Sequence, residues 1–460
     1  MRAEGTPHDA HATVSCTPSL CPTRLCPTQS VSLESDILPA SFGRRSTGEL
    51  ACEGIPLSAI AKAHGTPLYL YSARAIREAY QAFSSALPAQ STQICYAVKA
   101  NPTLGILDLL AREGAGFDIV SEGELFRVLK AGGQATRCVF SGVGKRDHEI
   151  VEALKLGVGC INVESADELH RLSALATGLQ RVAPVSIRIN PDIDPLTHPY
   201  ISTGLKENKF GVPVEQALGV YQLAESLPGL KVLGVDCHIG SQITSLSPFL
   251  DTTDRVLAFV DELSAAGISI DHIDLGGGLG ICYHDETPPS AGALLKAVAS
   301  RVAAWASARN RPPPKLVFEF GRAIVGRAGV LLTEVVFLKP GGTKNFAIID
   351  AGMNDLLRPS LYEAWHEVFA VKPDSRQAQR QWDLVGPVCE SGDWLARDRV
   401  LSLSQGDLLV LASAGAYGCS MASNYNSRPR PAEVLVEEDG THRVIRLRES
   451  LDDLIRGETV

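Results

Sequence analysis

Ile94-Cys95-Tyr96-Ala97-Val98-Lys99-Ala100-Asn101 is a run of strand-forming residues that reads as buried wall until it ends in a cation. Lys99 either carries its ammonium to water along an apolar stem or works as a nucleophile. Proteins hold carbonyl compounds as Schiff bases on a lysine whose pKa burial or a neighbouring cation has lowered. The stretch alone leaves both readings open. Its neighbours repeat it: similar runs at Gly116–Ser121, Cys138–Val143 and Cys160–Ser165 follow at intervals of about 22 residues. Four more lie at Val185–Asn190, Val232–Ser241, Ile270–Gly276 and Leu316–Gly321. Between them, Leu104–Glu113, Glu122–Ala131 and Asp167–Ala176 carry apolar residues at helical spacing. Strand–helix alternation implies parallel strands covered by helices. Eight such units in about 250 residues predict an α/β fold, a closed (β/α)8 barrel of the TIM type rather than an open sheet.

The runs share a second pattern. Each finishes in polar or glycine residues: Lys99, Asp118 and Ser121, Ser141, Glu164 and Ser165, Arg188 and Asn190, His238 and Ser241, Gly276 to Gly278, then Glu319 and Arg322. In a barrel these C-terminal ends converge on one mouth, where active sites are built.

The 460-residue chain divides by composition into four stretches. Residues 1–35 are rich in Ser, Thr, Pro and Cys without apolar periodicity and read as a disordered extension. Residues 36–71 are an N-terminal segment, the start of Ile55–Tyr71 expected to pair with a later β domain. Residues 72–325 hold the barrel. Residues 326–460 turn to short strands (Gly329–Phe337, Asn345–Ile349, Leu408–Leu411, Glu433–Val436, His442–Leu447) between Gly-, Pro- and Asp-containing turns, which predicts an all-β domain, sandwich- or barrel-like.

A net charge of -9 speaks against a nucleic-acid surface or an anionic membrane as partner, and no apolar run is long enough to span a bilayer. The eleven cysteines form no CxxC pair, and Cys95, Cys138, Cys160 and Cys237 lie in apolar runs. They read as buried, reduced thiols of a cytoplasmic protein. Cys16, Cys21 and Cys26 recur every five residues, without the spacing or the histidines of a metal site.

Asp274-Leu275-Gly276-Gly277-Gly278-Leu279-Gly280 follows a strand, and its backbone N–H groups could cradle a phosphate. It matches neither the Rossmann spacing nor a P-loop. His238 and Ser241 end the sixth run, where an imidazole can stack on a planar ring and a hydroxyl can donate to phosphate. Glu319 ends the eighth. Cys389 and Glu390 lie together in a glycine-flanked loop, where a thiol can donate a proton. Each also has an ordinary structural reading: a plain turn, a rim histidine, a core-edge ion pair, a loop thiol.

Lysine, phosphate cradle, ring-stacking imidazole and carboxylate together describe a pyridoxal 5'-phosphate site. With YAVKAN at 96–101, HIGSQ at 238–242, GGGLG at 276–280, Glu319-Phe320-Gly321-Arg322, GPVCESGD at 386–393 and AGAYG at 414–418, the chain resembles the fold-type III pyridoxal-phosphate decarboxylases. Within them it is most similar to the branch that acts on diaminopimelate, over residues 45–455 or so. The resemblance implies that Lys99 carries the cofactor as a Schiff base and that His238 stacks on its ring. Ser241, Gly277, Gly278, Gly321 and Arg322 would hold its phosphate. Glu319 would pair with the pyridine nitrogen and keep the ring a strong electron sink, which suits decarboxylation. Arg322 and Arg358, with Tyr362 nearby, would bind the substrate's distal carboxylate. Glu390 would take the distal ammonium, and Tyr417 would touch cofactor and substrate. Cys389 would protonate the α-carbon from a partner subunit, so the resemblance implies a homodimer with shared sites and no metal.

The implied reaction converts meso-2,6-diaminopimelate to L-lysine and CO2, the last step of lysine biosynthesis. Rival readings are a decarboxylase of ornithine, arginine or a carboxy-polyamine, and a non-catalytic pyridoxal-phosphate-binding protein. Phe320 and Cys282 stand where the family commonly has proline, and the lost φ restraint predicts looser loops there.

Overall fold

A computed structural model of the chain describes residues 34, 36–193, 209–374 and 376–460. The N-terminal cysteines Cys16, Cys21 and Cys26 lie outside the described residues.

Eight parallel strands close into a barrel: β1 (Thr92–Ala97), β2 (Gly116–Ile119), β3 (Cys138–Phe140), β4 (Cys160–Val163), β5 (Ala183–Asn190), β6 (Leu230–Asp236), β7 (His272–Asp274) and β8 (Lys315–Phe320). Each pairs with the next, β8 returns to β1, and the β4–β5 pairing completes the ring. Apolar side chains with no exposure, among them Phe117, Phe140, Ile161, Val185, Ile187 and Val235, pack outward against the surrounding helices, while Cys95, Val139 and Val317 form a small cluster of their own. The helices between strands include Leu104–Arg112, Glu122–Lys130 and Ala166–Gly178, close to their expected positions.

Most of the strands stop sooner than the sequence runs predict, although β5 ends at Asn190 as expected. Asp118, Arg188, Asn190 and Glu319 remain in the ladder, while Lys99, Ser141, Glu164, His238 and Ser241 lie just beyond it at the rim. Ser121 and Ser165, expected on that rim, do a different job: their hydroxyls accept the N–H groups of Glu124 and Glu168 and cap the following helices.

A nine-stranded, largely antiparallel sheet follows the barrel. At its centre, β9 (Gly329–Lys339) pairs antiparallel with Leu68–Ser72, which in turn pairs parallel with Ala432–Val436. So it is the end of the Ile55–Tyr71 segment that joins this sheet, while Ile55–Pro56 belongs to a separate three-stranded one. Three strands of the large sheet, Val368–Ala370, Arg380–Val385 and Trp394–Leu401, were not read from the sequence. The last two are studded with Arg, Asp and Gln, which masked their alternation.

Phe320 is anchored rather than loose. Its ring stacks on Phe83 at 4.1 Å and on Phe318 at 5.6 Å between centroids, so aromatic packing replaces the restraint a proline would give. Among the described residues, no helix is long and apolar enough to cross a membrane.

Candidate active site

Lys99 sits on a single 3-10 turn, Val98–Ala100, directly after β1. Its Nζ donates to Asp118 Oδ2 at 2.6 Å, across the register that pairs Ala97 with Asp118. The turn is held from the second sheet's side of the molecule. Ala100 C=O accepts from Tyr417 N–H at 2.8 Å and from Ser420 Oγ at 3.2 Å. Asn101 Nδ2 donates to Gly415 C=O at 3.2 Å. Tyr417 adopts a left-handed φ of 57°, a backbone cost that surrounding contacts must offset.

Burial disfavours the Lys99 ammonium, but Asp118, Glu319 and Tyr417 outweigh it and hold its pKa above the ordinary lysine range. This reverses the expectation of a lowered pKa. Its partner is a carboxylate, Asp118, and not a cation, so the free protein keeps Lys99 as an ion pair.

Beside it, the ends of β6, β7 and β8 bring buried carboxylate oxygens of Asp236, Asp274 and Glu319 within 4.8 Å of one another. Like charges so close and so dry cannot all ionise. Burial first, then Asp118, Asp274 and Asp236, push Glu319 well above the usual carboxylate range, with Lys99 opposing. Asp236 is raised to about 7, again mainly by burial, although Arg188 opposes. Glu319 is therefore prepared to share a proton with a base that approaches it.

His238 follows β6. Burial, then Arg188 and Lys99, hold its pKa well below the usual imidazole range. Gly277 N–H donates to its Nδ1 at 3.2 Å, which makes Nδ1 the unprotonated nitrogen. Gly277 thus steadies the imidazole instead of lining the cavity. A Cβ on Gly277 would lie 2.0 Å from Glu319 O, and one on Gly278 would lie 2.4 Å from Gly240 O, so this turn admits no side chains.

Lys99, His238, Ser241, Gly278, Glu319, Gly321, Arg322, Arg358, Tyr362 and Tyr417 all line one cavity of about 580 Å³. Ten of the thirteen sequence-derived site residues meet there; Gly277 lies just behind its wall. Cys389 and Glu390 do not reach it. Both are exposed, with Cys389 N–H donating to Asn426 Oδ1 at 2.9 Å and Glu390 accepting from the Tyr425 hydroxyl.

Arg322 and Arg358 are buried at 6% exposure each, yet among the described residues neither forms an ion pair. Arg322 Nη1 donates to Tyr283 Oη at 2.6 Å and Nη2 to Ser241 Oγ at 2.9 Å, while its Nε has no partner among the described residues. Arg358, at the start of the short helix Arg358–Tyr362, lies 2.8 Å from His366 Nε2.

These donors fit pyridoxal phosphate. The cavity supplies an amine, a neutral imidazole, and a carboxylate poised to share a proton with a ring nitrogen. Ser241 Oγ, the side-chain-free turn at Gly278 and the unsatisfied Arg322 Nε are suited to an anionic end.

Sequence reading gave no role to Asp118, Asp236, Asp274, Tyr283 or His366. The three aspartates carried the same signal as Lys99, a charge closing an apolar run. Tyr283 and His366 offered none, because an aromatic in a loop looks like many others.

Residues 73–326 match the family described as pyridoxal-dependent decarboxylases, over its pyridoxal-binding domain. The chain is 55% identical to the diaminopimelate decarboxylase of Pseudomonas aeruginosa over 412 residues, 90% of this chain and 97% of that one. Among solved structures, it superposes on diaminopimelate decarboxylase from Helicobacter pylori complexed with L-lysine with a TM-score of 0.82, 43% identity, and coverage of 87% and 98%. The M. jannaschii enzyme in co-complex with L-lysine gives a TM-score of 0.86 at 38% identity, covering 92% of this chain and 98% of that one. The chain belongs to the pyridoxal-dependent decarboxylases, and within them to the diaminopimelate decarboxylase family.

Proposed function

We propose how this cavity divides its labour in a pyridoxal-phosphate enzyme that decarboxylates meso-2,6-diaminopimelate to L-lysine and CO2. One observation carries the reading: the cavity that holds Lys99 and Glu319 also holds two buried arginines without carboxylate partners among the described residues. An amino acid with a second, distal carboxylate satisfies both features. Ornithine and arginine lack that group and would leave the guanidinium charge uncompensated.

Pyridoxal phosphate, when bound, supplies the aldehyde that takes the substrate amine and the ring that accepts the electron pair left by CO2. The chain's residues do the rest. Lys99 anchors the cofactor, and Asp118 holds the ammonium proton that Lys99 must shed before its nitrogen can react. His238, neutral and fixed by Gly277, presents a flat face to the ring. Glu319 shares a proton with the ring nitrogen. Ser241, Gly278, Gly321 and Arg322 bind the phosphate end, and Arg358, with Arg322 and Tyr362, binds the distal carboxylate. Tyr417 contacts both.

Cys389 as proton donor and Glu390 as the ammonium's partner need a second copy, since both lie outside this chain's own cavity. We therefore read the enzyme as a homodimer with shared sites. The test is complementation. Lys99→Ala and Cys389→Ala proteins, each inactive, are mixed, dissociated and reassembled. Half the dimers are then mixed and each has one intact site, so about a quarter of full activity returns. No recovery would mean that Cys389 acts within its own chain or not at all. We also propose domain limits at 36–71, 72–325 and 326–460, and a cytoplasmic location, which the free buried thiols of the barrel wall support.

A further inference from the structure

Behind the wall of the cavity, His366 is fully buried. Its Nδ1 is 2.8 Å from the Ala412 carbonyl oxygen, which can only accept, so Nδ1 carries the proton. Nε2 therefore offers a lone pair to Arg358 Nη1 at 2.8 Å. The Tyr283 ring packs edge-on to the imidazole, with centroids 5.3 Å apart, and stands 4.7 Å from the Arg358 guanidinium carbon. The same tyrosine accepts from Arg322.

A buried arginine is ordinarily fixed by a carboxylate, which orients it and cancels its charge. Among the described residues, every acceptor hydrogen-bonded to the two guanidinium groups is neutral: an imidazole, a phenol and a serine hydroxyl. We propose that His366 is a specificity-determining positioning residue that orients Arg358 while leaving its whole charge for the substrate's distal carboxylate. Burial and then Arg358 itself drive the His366 pKa to about 3, so the imidazole stays a neutral acceptor at any working pH. The inference builds on the assignment of Arg358 to the distal carboxylate.

Three variants of the holoenzyme test it: His366→Gln, His366→Glu and His366→Leu. A glutamine amide can accept from Arg358 and donate to Ala412 C=O, and glutamate is its isostere with a charge. In the glutamate and leucine variants, KM for meso-diaminopimelate should rise about ten- to hundredfold, the scale of a buried charged hydrogen bond, with kcat changed far less. Glutamine should recover most of that loss. Calorimetry should show the dicarboxylate pimelate binding more weakly in parallel, while cadaverine, a diamine without carboxylates, binds as before.

Equal KM values for the glutamate and glutamine variants would overturn the proposal, and that comparison stands even where the leucine variant does not fold. Arg358→Ala run alongside separates the two assignments. A raised KM in Arg358→Ala with an unaltered one in His366→Glu removes the role of His366 alone. An unaltered KM in both removes the carboxylate assignment of Arg358.

Discussion

Two regions of one cavity are electrostatic opposites. Where the barrel strands end, Asp118, Asp236, Asp274 and Glu319 crowd together with too few cations to satisfy them. Arg322 and Arg358 form no ion pair among the described residues and hydrogen-bond only to neutral groups there. The acidic region holds protons and suits cationic nitrogen, as the Lys99–Asp118 pair already demonstrates. The basic region is an anion site kept open. Neither would be tolerated as a structural core, where buried charges are paired. Both are strained toward what the cavity is built to bind.

Breaking the acidic region at Lys99 should have the largest effect. Lys99→Ala should lower kcat by about three orders of magnitude or more and abolish the absorbance of lysine-bound cofactor. Retained turnover would remove Lys99 from its role. In the basic region, Arg358→Ala should raise KM for diaminopimelate about a hundredfold, the worth of a buried bidentate pair, as measured by steady-state kinetics. Glu319→Gln keeps the shape but cannot share a proton with the ring nitrogen. Its kcat should fall about a hundredfold with KM little altered, and a change in KM instead would mean that Glu319 binds substrate.

The smallest effects are in stability, and they have opposite signs. Asp236 is raised to about 7 in the fold, so the unfolded chain releases that proton first, and stability is lost as pH climbs from about 4 through 7. His366 is lowered to about 3, so the unfolded chain takes the proton first, and stability is lost as pH falls from about 6.5 towards 3. Melting of the cofactor-free protein across this range should show Asp236→Asn flattening the first slope and His366→Gln the second. Parallel slopes in parent and variants would contradict the contrast.

Much of this was legible beforehand, for reasons that differ by region. The barrel and its rim could be read because polar residues close apolar runs at a regular interval, so Lys99, His238 and Glu319 fell on one rim, while the aspartates beside them were given no role. Arg322 and Arg358 came from resemblance to a family. What holds them did not, because Tyr283 and His366 meet the arginines across gaps of 39 and 8 residues through loops with no periodicity. Ser121 and Ser165 were misplaced for a related reason: a serine after a strand looks the same whether it faces a cavity or caps the next helix. The strands Arg380–Val385 and Trp394–Leu401 escaped because their charged faces hid the alternation.

The central claim is that one cavity pairs decarboxylation chemistry with a site for a second carboxylate. Its most direct test is CO2 release by the holoenzyme from meso-diaminopimelate, set against the L,L isomer, lysine, ornithine and arginine under identical conditions. The account predicts release from the meso compound alone, with lysine as the other product. Comparable release from ornithine or arginine would contradict it, because those substrates leave Arg358 facing nothing.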